Sequence, residues 1–409
     1  MILRKYFFSP LQIVSFGLQA SLCLIISGCG ASPVDTAHEK FRDWQSKLAE
    51  RRSFQIRKDW IRQGPEVTNM GFRKINRMSP LLYADAKQGS LLIQANSIDG
   101  VVAYQRFSGR EVWRLRILNG VESSAALIRD RLFFGGNDGQ FYSVEANTGK
   151  VIWTFPTRIE NLAEPLIEDG VVYFLTGNNS VYALDAVSGK QLWLYTRQDP
   201  NPLRVRGGSK PALRNGALIL GFSDGYLVAL VAKTGQVKWE KQLNRNKKFR
   251  DIDTNPLIDG EFVYALGFDD HLYCLRTSTG ESVWTSEKGG YGGMLIQGDR
   301  LYYASSTSEF MAVNKSTGNK IWSYQLAEGI ATSPTMYRGL IVFGESQGGL
   351  VFLDSGSGKK VGYFDPGRGI LSPPSIDEKN NRVFFISGEA NVYALEIGFK
   401  YPNAIPYLR

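Results

Sequence analysis

One motif recurs along this chain: an apolar stretch, a turn that contains a glycine, and a tryptophan four residues after it, as in "DAVSGKQLWLY" (185–195). Glycine suits the positive φ that a tight turn requires, so each copy predicts two strands joined by a hairpin. Seven such hairpins recur at spacings of 38 to 46 residues, with the turn glycines Gly109, Gly149, Gly189, Gly235, Gly280, Gly318 and Gly358. A repeat of this length restricts the chain to folds that assemble one small unit many times.

The tryptophan of the motif occurs in six of the seven copies, and Gly362 takes its place in the last one. A large ring at a fixed place in each unit can pack against the neighbouring unit. We therefore assign these side chains to the fold rather than to a functional site: Trp113, Trp153, Trp193, Trp239, Trp284 and Trp322.

The remainder of each unit predicts two further strands upstream of the hairpin, the first often opening on a proline, as in "TNPLI" and "TSPTM". Four strands in about 40 residues are typical of a β-propeller blade. An eighth unit near residues 382–396 lacks a following Gly-x-x-x-Trp, and we expect "MGFRKI" (70–75) to supply its outer strand. The prediction is an all-β, monomeric, eight-bladed propeller over residues 66–398, closed by its N- and C-terminal strands and followed by a tail at 399–409.

The N-terminus has the features of a bacterial export signal. Arg4 and Lys5 precede an apolar stretch, and "LIISGCGAS" follows it. This sequence resembles a lipobox, which implies removal of residues 1–28, acylation of Cys29 and, with Gly30 rather than Asp, retention in the outer membrane. We expect residues 29–65 to form a basic, partly helical tether. Its helix could lie in the tether, dock on the propeller, or contact a membrane or a partner.

Catalytic chemistry has few candidates in this sequence. The Gly-x-x-x-Trp motif is shared with quinoprotein dehydrogenases, but the adjacent cysteines of those enzymes are absent. The chain has two histidines, His38 in the tether and His271 at a strand, so neither a zinc cluster nor a histidine triad can form. Cys274 lies in an apolar strand and is expected to be buried. We predict no catalytic residue, no metal and no cofactor.

The two longest repeat spacings contain two charged segments, "NPLRVRGGSKP" (201–211) and "NRNKKFRDIDTNP" (244–256). Connections at equivalent places in neighbouring blades should lie side by side on one face. Asp251 and Asp253 flank Ile252, so both carboxylates point the same way if the segment is extended. The residues alone allow two interpretations: ordinary surface loops, or a binding patch that combines these acids with Leu203, Arg204, Val205 and Arg206.

The lipobox, the eight blades and the segments "LRVRGGSKP" and "DIDTNP" together resemble the BamB family, lipoproteins of the outer-membrane β-barrel assembly machinery. The resemblance covers residues 66–398 and is greatest over 203–361. It implies a non-catalytic scaffold on the periplasmic face that docks on the POTRA domains of BamA. Carried onto this sequence, the contact residues are Leu203, Val205, Arg206, Asp251 and Asp253.

Further partners implied by the resemblance are nascent outer-membrane proteins and, indirectly, the other assembly lipoproteins. We expect no nucleic-acid partner. Two alternative functions stay open at this point. One is a periplasmic, PQQ-dependent oxidoreductase. The other is a surface lipoprotein propeller with an unrelated protein partner.

Overall fold

The computed structural model describes residues 53–65, 76–85, 89–161, 163–198, 208–244, 252, 254–267, 269–290, 292–327 and 329–400. The chain divides into a small unit, Met1–Ser53 with Tyr401–Arg409, and a large unit, Phe54–Lys400. The predicted signal at 1–28, the acylated Cys29 and the tether helix lie outside the described residues, so these three stay predictions.

In the described ranges, the large unit consists of eight four-stranded sheets and one 3-10 turn at Glu378–Asn380. The predicted all-β, eight-bladed propeller is therefore confirmed. Each pair of neighbouring strands within blades 1 to 7 is antiparallel, and each blade follows the chain order from its innermost to its outermost strand. The second and third strands are almost wholly buried, as in Ala217–Gly221, because other blades cover both their faces.

The strands of the first four blades are the following. Blade 1 has β2 (Leu81–Asp85), β3 (Gly89–Asn96), β4 (Gly100–Gln105) and β5 (Glu111–Arg116); blade 2 has β6 (Ala126–Ile128), β7 (Arg131–Gly135), β8 (Gln140–Glu145) and β9 (Val151–Pro156). Blade 3 has β10 (Leu166–Glu168), β11 (Val171–Leu175), β12 (Ser180–Asp185) and β13 (Gln191–Thr196); blade 4 has β14 (Ala212–Arg214), β15 (Ala217–Gly221), β16 (Tyr226–Val231) and β17 (Val237–Gln242).

The other four blades complete the ring. Blade 5 has β18 (Leu257–Asp259), β19 (Phe262–Leu266), β20 (Leu272–Arg276) and β21 (Ser282–Ser286); blade 6 has β22 (Met294–Gln297), β23 (Arg300–Ala304), β24 (Glu309–Asn314) and β25 (Lys320–Gln325). Blade 7 has β26 (Thr335–Tyr337), β27 (Leu340–Gly344), β28 (Leu350–Asp354) and β29 (Lys360–Phe364). Blade 8 has β30 (Ser375–Asp377), β31 (Arg382–Ile386), β32 (Val392–Lys400) and, as its outermost strand, β1 (Ser53–Arg62).

The ring closes through the pairing of β1 with β32, which confirms closure by N- and C-terminal strands. The closing segment differs from the predicted one: residues 53–62 form the outer strand, whereas "MGFRKI" (70–75) lies outside the described residues. The predicted boundary at residue 66 is therefore too late, and β32 extends to Lys400 rather than ending at 398. The sequence contains the reason, because Phe54 and Ile56 alternate with polar residues, which is the period of a strand.

The repeat tryptophans lie between blades. A Cβ built on the turn glycine of the following blade would lie only 2.5–2.8 Å from the ring, so glycine is needed for this contact. In five of the six, the indole N–H also donates to a backbone carbonyl of that turn, over 2.9–3.2 Å. Trp284 is the exception among the described residues, since its Nε1 has no hydrogen-bond partner.

Two side chains of β1 complete this set of contacts, and neither is predicted from the repeat. Trp60 packs against Gly109 of blade 1 and donates from Nε1 to the carbonyl oxygen of Arg106 at 3.0 Å, like the repeat tryptophans. Phe54 occupies the place opposite Gly362, where a Cβ would lie 2.6 Å from its ring. The N-terminal strand thus fills both junctions of blade 8.

The connectivity gives the propeller two distinct faces. The connections between blades and the turns between second and third strands lie on one face, which we call the connection face. The main-chain hydrogen bond from Leu243 to Gly225, at 2.9 Å, is one link between such a connection and such a turn. The Gly-x-x-x-Trp turns lie on the opposite face, which we call the turn face.

Candidate partner-binding surface

The two long connections are joined to each other where they end. The first leads from blade 3 to blade 4 and the second from blade 4 to blade 5. Ser209 Oγ donates to the carbonyl oxygen of Thr254 at 2.9 Å, and the Lys210 amide donates to Asn255 Oδ1 at 2.8 Å. The two segments therefore enter their next blades from adjacent points on the connection face.

The predicted contact residues themselves, Leu203, Arg204, Val205, Arg206, Asp251 and Asp253, lie outside the described residues. Their neighbours in the chain limit where they can be, because each residue spans at most about 3.6 Å. Asp253 directly precedes Thr254, and Arg206 is three positions before Ser209. Contact between residues 203–206 and the two aspartates stays a prediction. The hydrogen bonds between 209–210 and 254–255 bring the ends of the two connections close enough to allow it.

Ile252, between the two predicted acids, is fixed in the core. Its side chain is fully buried among residues of blades 4 and 5, and its amide donates to the carbonyl oxygen of Phe222 at 3.1 Å. A Cβ at Gly221 would lie 1.8 Å from the Ile252 carbonyl oxygen, so only glycine permits this approach. The backbone at Ile252, between the two predicted acids, is therefore fixed by a close contact with blade 4.

Hydroxyl side chains hold the end of each connection, a role that was not predicted from the sequence. Ser209 Oγ also accepts from the Gly221 amide at 3.2 Å, and Thr254 Oγ1 bonds both the amide and the carbonyl of Leu266, at 3.1 and 2.9 Å. Thr332 and Ser372 make the corresponding bonds in blades 7 and 8. The signal was available, since all four hydroxyl residues stand two positions before a proline.

Arg197 begins the first connection and is held at the junction of blades 3 and 4. Its guanidinium forms ion pairs with Asp224 and with Glu240, the latter at 2.8 Å, and it lies 4.2 Å from the ring centroid of Tyr226. Burial lowers its pKa, but the hydrogen bonds to the two carboxylates outweigh burial and raise the pKa overall. This cation fixes the start of the connection and is neutralised within the fold.

The centre of the ring contains a cavity of about 820 Å³, lined mainly by proline, serine, threonine and glycine. Its charged lining residues in the described ranges are Arg77, Glu164 and Lys210, and Lys210 is paired with Glu164 at 2.5 Å. Calcium prefers six to eight oxygen ligands with several carboxylates. Among the described lining residues the one carboxylate is paired with a lysine, and this set does not fit a calcium-dependent quinone site.

The remaining candidates for reactive chemistry are engaged in the fold. Cys274 is buried, and burial raises the pKa of its thiol to about 11. His271 Nδ1 lies 2.7 Å from the carbonyl oxygen of Asp269. No group of three or more metal-ligating side chains occurs in the part of the chain that the structure describes. The same residues include no helix long and apolar enough to cross a membrane.

Comparisons with known proteins agree with this geometry. A family model described as "Outer membrane protein assembly factor BamB" matches residues 98–324. Among curated proteins, the outer membrane protein assembly factor BamB of Shewanella oneidensis is 29% identical over 314 residues, which is 72% of this chain and 79% of that protein.

Solved structures show that this fold occurs in two functional classes. The crystal structure of BamB from Moraxella catarrhalis matches with a TM-score of 0.68 and 22% identity, over 82% of this chain and all of that one. A quinohemoprotein alcohol dehydrogenase from Comamonas testosteroni also has a TM-score of 0.68, with 12% identity over 88% of this chain and 79% of its own. At these identities the structures establish the fold alone.

Proposed function

The chain belongs to the family of outer membrane protein assembly factor BamB, and we propose that it is a non-catalytic scaffold of the outer-membrane β-barrel assembly machinery. In this proposal the connection face docks on the periplasmic POTRA domains of a BamA-type protein. The docked scaffold assists the assembly and insertion of outer-membrane proteins.

The observation that carries the proposal is the joined pair of connections. Ser209 and Lys210 of one segment hydrogen-bond Thr254 and Asn255 of the other, so both emerge at one place. Leu203 and Val205 would supply apolar contacts, while Arg206, Asp251 and Asp253 would supply charges at the edge of the patch. Interfaces of this composition, apolar at the centre and polar at the rim, are typical of specific protein partners.

The proposed location is the periplasmic face of the outer membrane, with acyl chains on Cys29 as the anchor. The lipobox-like sequence "LIISGCGAS" supports this location. A single acyl chain binds a membrane only weakly, so several chains on one residue would be required for a stable anchor. Contacts with the other assembly lipoproteins would then be indirect, through BamA.

The experiment is co-purification with the BamA-type protein from detergent-solubilised outer membranes. We expect Arg206→Glu, and Asp251→Arg combined with Asp253→Arg, to abolish recovery of the partner while the unfolding temperature stays the same. Removal of a desolvated charge at an interface costs about 2–5 kcal/mol, which corresponds to a loss of about thirtyfold or more.

Matched controls reverse the same charges on the turn face. Lys190→Glu and Glu281→Arg change exposed residues of the turns in blades 3 and 5. Both should retain the partner at the wild-type level. Full recovery of the partner with the variants of Arg206 and of the two aspartates would contradict the proposed interface.

A further inference from the structure

We infer that the turn face around β1 binds an anionic phospholipid surface, that of the membrane which holds the N-terminus. The inference rests on the proposed membrane location, and it adds a second, electrostatic contact between propeller and lipid. The surface comprises β1, the end of β32, and the adjoining turns of blades 7, 8 and 1. We call it the β1 basic surface.

The direction of β1 determines which face the N-terminal segment leaves from. Phe54 contacts Phe399 with ring centroids 5.2 Å apart, whereas the Gly64 amide, two residues beyond the other end of β1, bonds Asn391 at 3.0 Å. β1 therefore runs antiparallel to β32, and its first residue, Ser53, lies where β32 ends, on the turn face. A membrane anchor upstream of Ser53 would pull on this face, opposite to the joined connections.

The same region carries a group of exposed cations. Eight exposed basic side chains lie on β1, at the end of β32 and in the adjoining turns: Arg57, Lys58, Arg110, Arg338, Lys359, Lys360, Lys379 and Lys400. The position after the turn glycine is basic in blades 1, 2, 3 and 7, at Arg110, Lys150, Lys190 and Lys359, and is Gln236, Glu281 and Asn319 in blades 4 to 6. Between blades 7 and 1, β1 and the end of β32 add Arg57, Lys58 and Lys400.

Acidic neighbours neutralise only part of this charge. Glu396 pairs with Arg57, and Glu378 lies 4.0 Å from Arg338. Other described acids of the region bond other groups: Asp59 with Arg382, Glu111 with Arg114, Asp354 with Ser357, and Asp377 with Arg106. Six of the cations have no ion pair with any described residue: Lys58, Arg110, Lys359, Lys360, Lys379 and Lys400.

One exposed aromatic ring lies on the β1 basic surface: Phe107, in the turn of blade 1, is 46% exposed. The Arg382 guanidinium lies 4.6 Å from the centroid of this ring. Tyr363, which is 43% exposed, lies instead near the connection-face end of β29, where a Cβ at Gly349 would lie 2.9 Å from it. An aromatic ring beside basic side chains is the combination that membrane interfaces favour.

The test measures how closely this surface approaches lipid in the full, anchored chain. A fluorescent label at Gln55→Cys on β1 reports energy transfer to a dye in the vesicle membrane, and a label at Glu287→Cys reports from the connection face. Cys274 is buried and does not compete for the label. We expect strong transfer from residue 55 when the vesicles contain phosphatidylglycerol, and weak transfer with phosphatidylcholine alone or in about 0.5 M salt.

Charge reversal identifies the residues responsible. Each basic residue near an anionic surface strengthens binding about fivefold. Lys359→Glu with Lys360→Glu should therefore reduce the docked population by more than about tenfold. The control is Lys238→Glu with Lys241→Glu on β17, which makes the same change of net charge at exposed positions of blade 4 and should leave transfer unchanged.

Three results would overturn the inference: equal transfer with neutral and anionic vesicles, no effect of the Lys359 and Lys360 variant, or an equal effect of the β17 control. If the chain does not stay with neutral vesicles, the proposed anchor at Cys29 fails. In that case, binding of the unanchored chain to vesicles that contain phosphatidylglycerol tests the β1 basic surface directly. Variants of Arg206, which address the partner interface, should leave transfer unchanged, so failure of the two proposals can be told apart.

Discussion

Trp60 offers the most direct test of how the ring is closed, because it joins the two ends of the chain. Its side chain is 8% exposed and packs on Gly109, Tyr104 and Phe384, with ring centroids of both aromatic neighbours at 6.1 Å. Burial of an aromatic ring removes about 150–250 Å² from water, which at about 25 cal/mol per Å² corresponds to at most about 4–6 kcal/mol. Truncation of such a ring typically costs about 3–5 kcal/mol.

We therefore expect Trp60→Ala to lower the free energy of unfolding by about 4 kcal/mol, as measured by urea denaturation followed by circular dichroism. The matched comparison is Trp239→Ala, a ring of similar exposure, 9%, on β17, which a hairpin joins to the next strand of its blade, β16. Both variants should lose similar stability. Only Trp60→Ala should also expose the amides of residues 53–62 to hydrogen exchange before global unfolding, because no hairpin joins β1 to β32, its neighbour in blade 8.

A variant Trp60→Ala that stays within about 1 kcal/mol of the wild type, with β1 still protected, would refute this reasoning. The contact can also be tested from the other side. A Cβ at Gly109 would lie 2.7 Å from the Trp60 ring, and Gly109 has a φ of 65°. Gly109→Ala should therefore be destabilising as well. The part of its effect that comes from contact with the ring should be lost in the Trp60→Ala background, whereas the part that comes from the positive φ should remain.

Two further predictions concern single buried groups. Burial acts to raise the pKa of Asp377, but hydrogen bonds from Asn380 and Arg106 outweigh burial and lower the pKa. The carboxylate therefore stabilises the fold above about pH 4, and this stabilisation is lost as the pH falls through the lowered pKa. Asp377→Asn should lower the free energy of unfolding by about 3–5 kcal/mol at pH 7, because Arg106 is then buried without its partner. In urea titrations repeated at decreasing pH, the difference in this free energy between variant and wild type should shrink. A difference that stays constant with pH would contradict the role of this pair. Cys274, with a pKa of about 11, should react with a thiol reagent at pH 8 only when urea unfolds the chain, and rapid labelling of the native protein would be inconsistent with its burial.

The blade architecture could be predicted from the sequence because each blade repeats one steric requirement. A glycine with positive φ faces a tryptophan of the preceding blade, and the two recur together at a fixed separation. The number of blades followed from counting the seven glycine turns and adding the unit at 382–396, which lacks one. β1 was assigned to the tether because its partner strand, β32, lies more than 300 positions away, and no glycine turn precedes its tryptophan to reveal the repeat.

The partner surface was predictable only in outline. An interrupted repeat identifies the long connections, because the regular units define how long a connection should be. Two hydrogen bonds join the connections, one between Ser209 and Thr254 and one between Lys210 and Asn255. They depend on the angle between neighbouring blades, which the residue pattern does not predict. The same holds for Ile252: the sequence shows that this residue is apolar, but it does not show that its amide bonds the carbonyl of Phe222.

The location of β1 in blade 8 has a consequence for the order of folding. β1 is synthesised before the other strands described here, and its partner β32 is the last of them. Until β32 has emerged, the edge of β1 is unpaired and Phe54 lacks its contact with Phe399. Contacts of such high sequence separation form slowly, and an exposed strand edge during that time favours aggregation. We expect this chain to require protection by a chaperone from the time β1 emerges until blade 8 is complete.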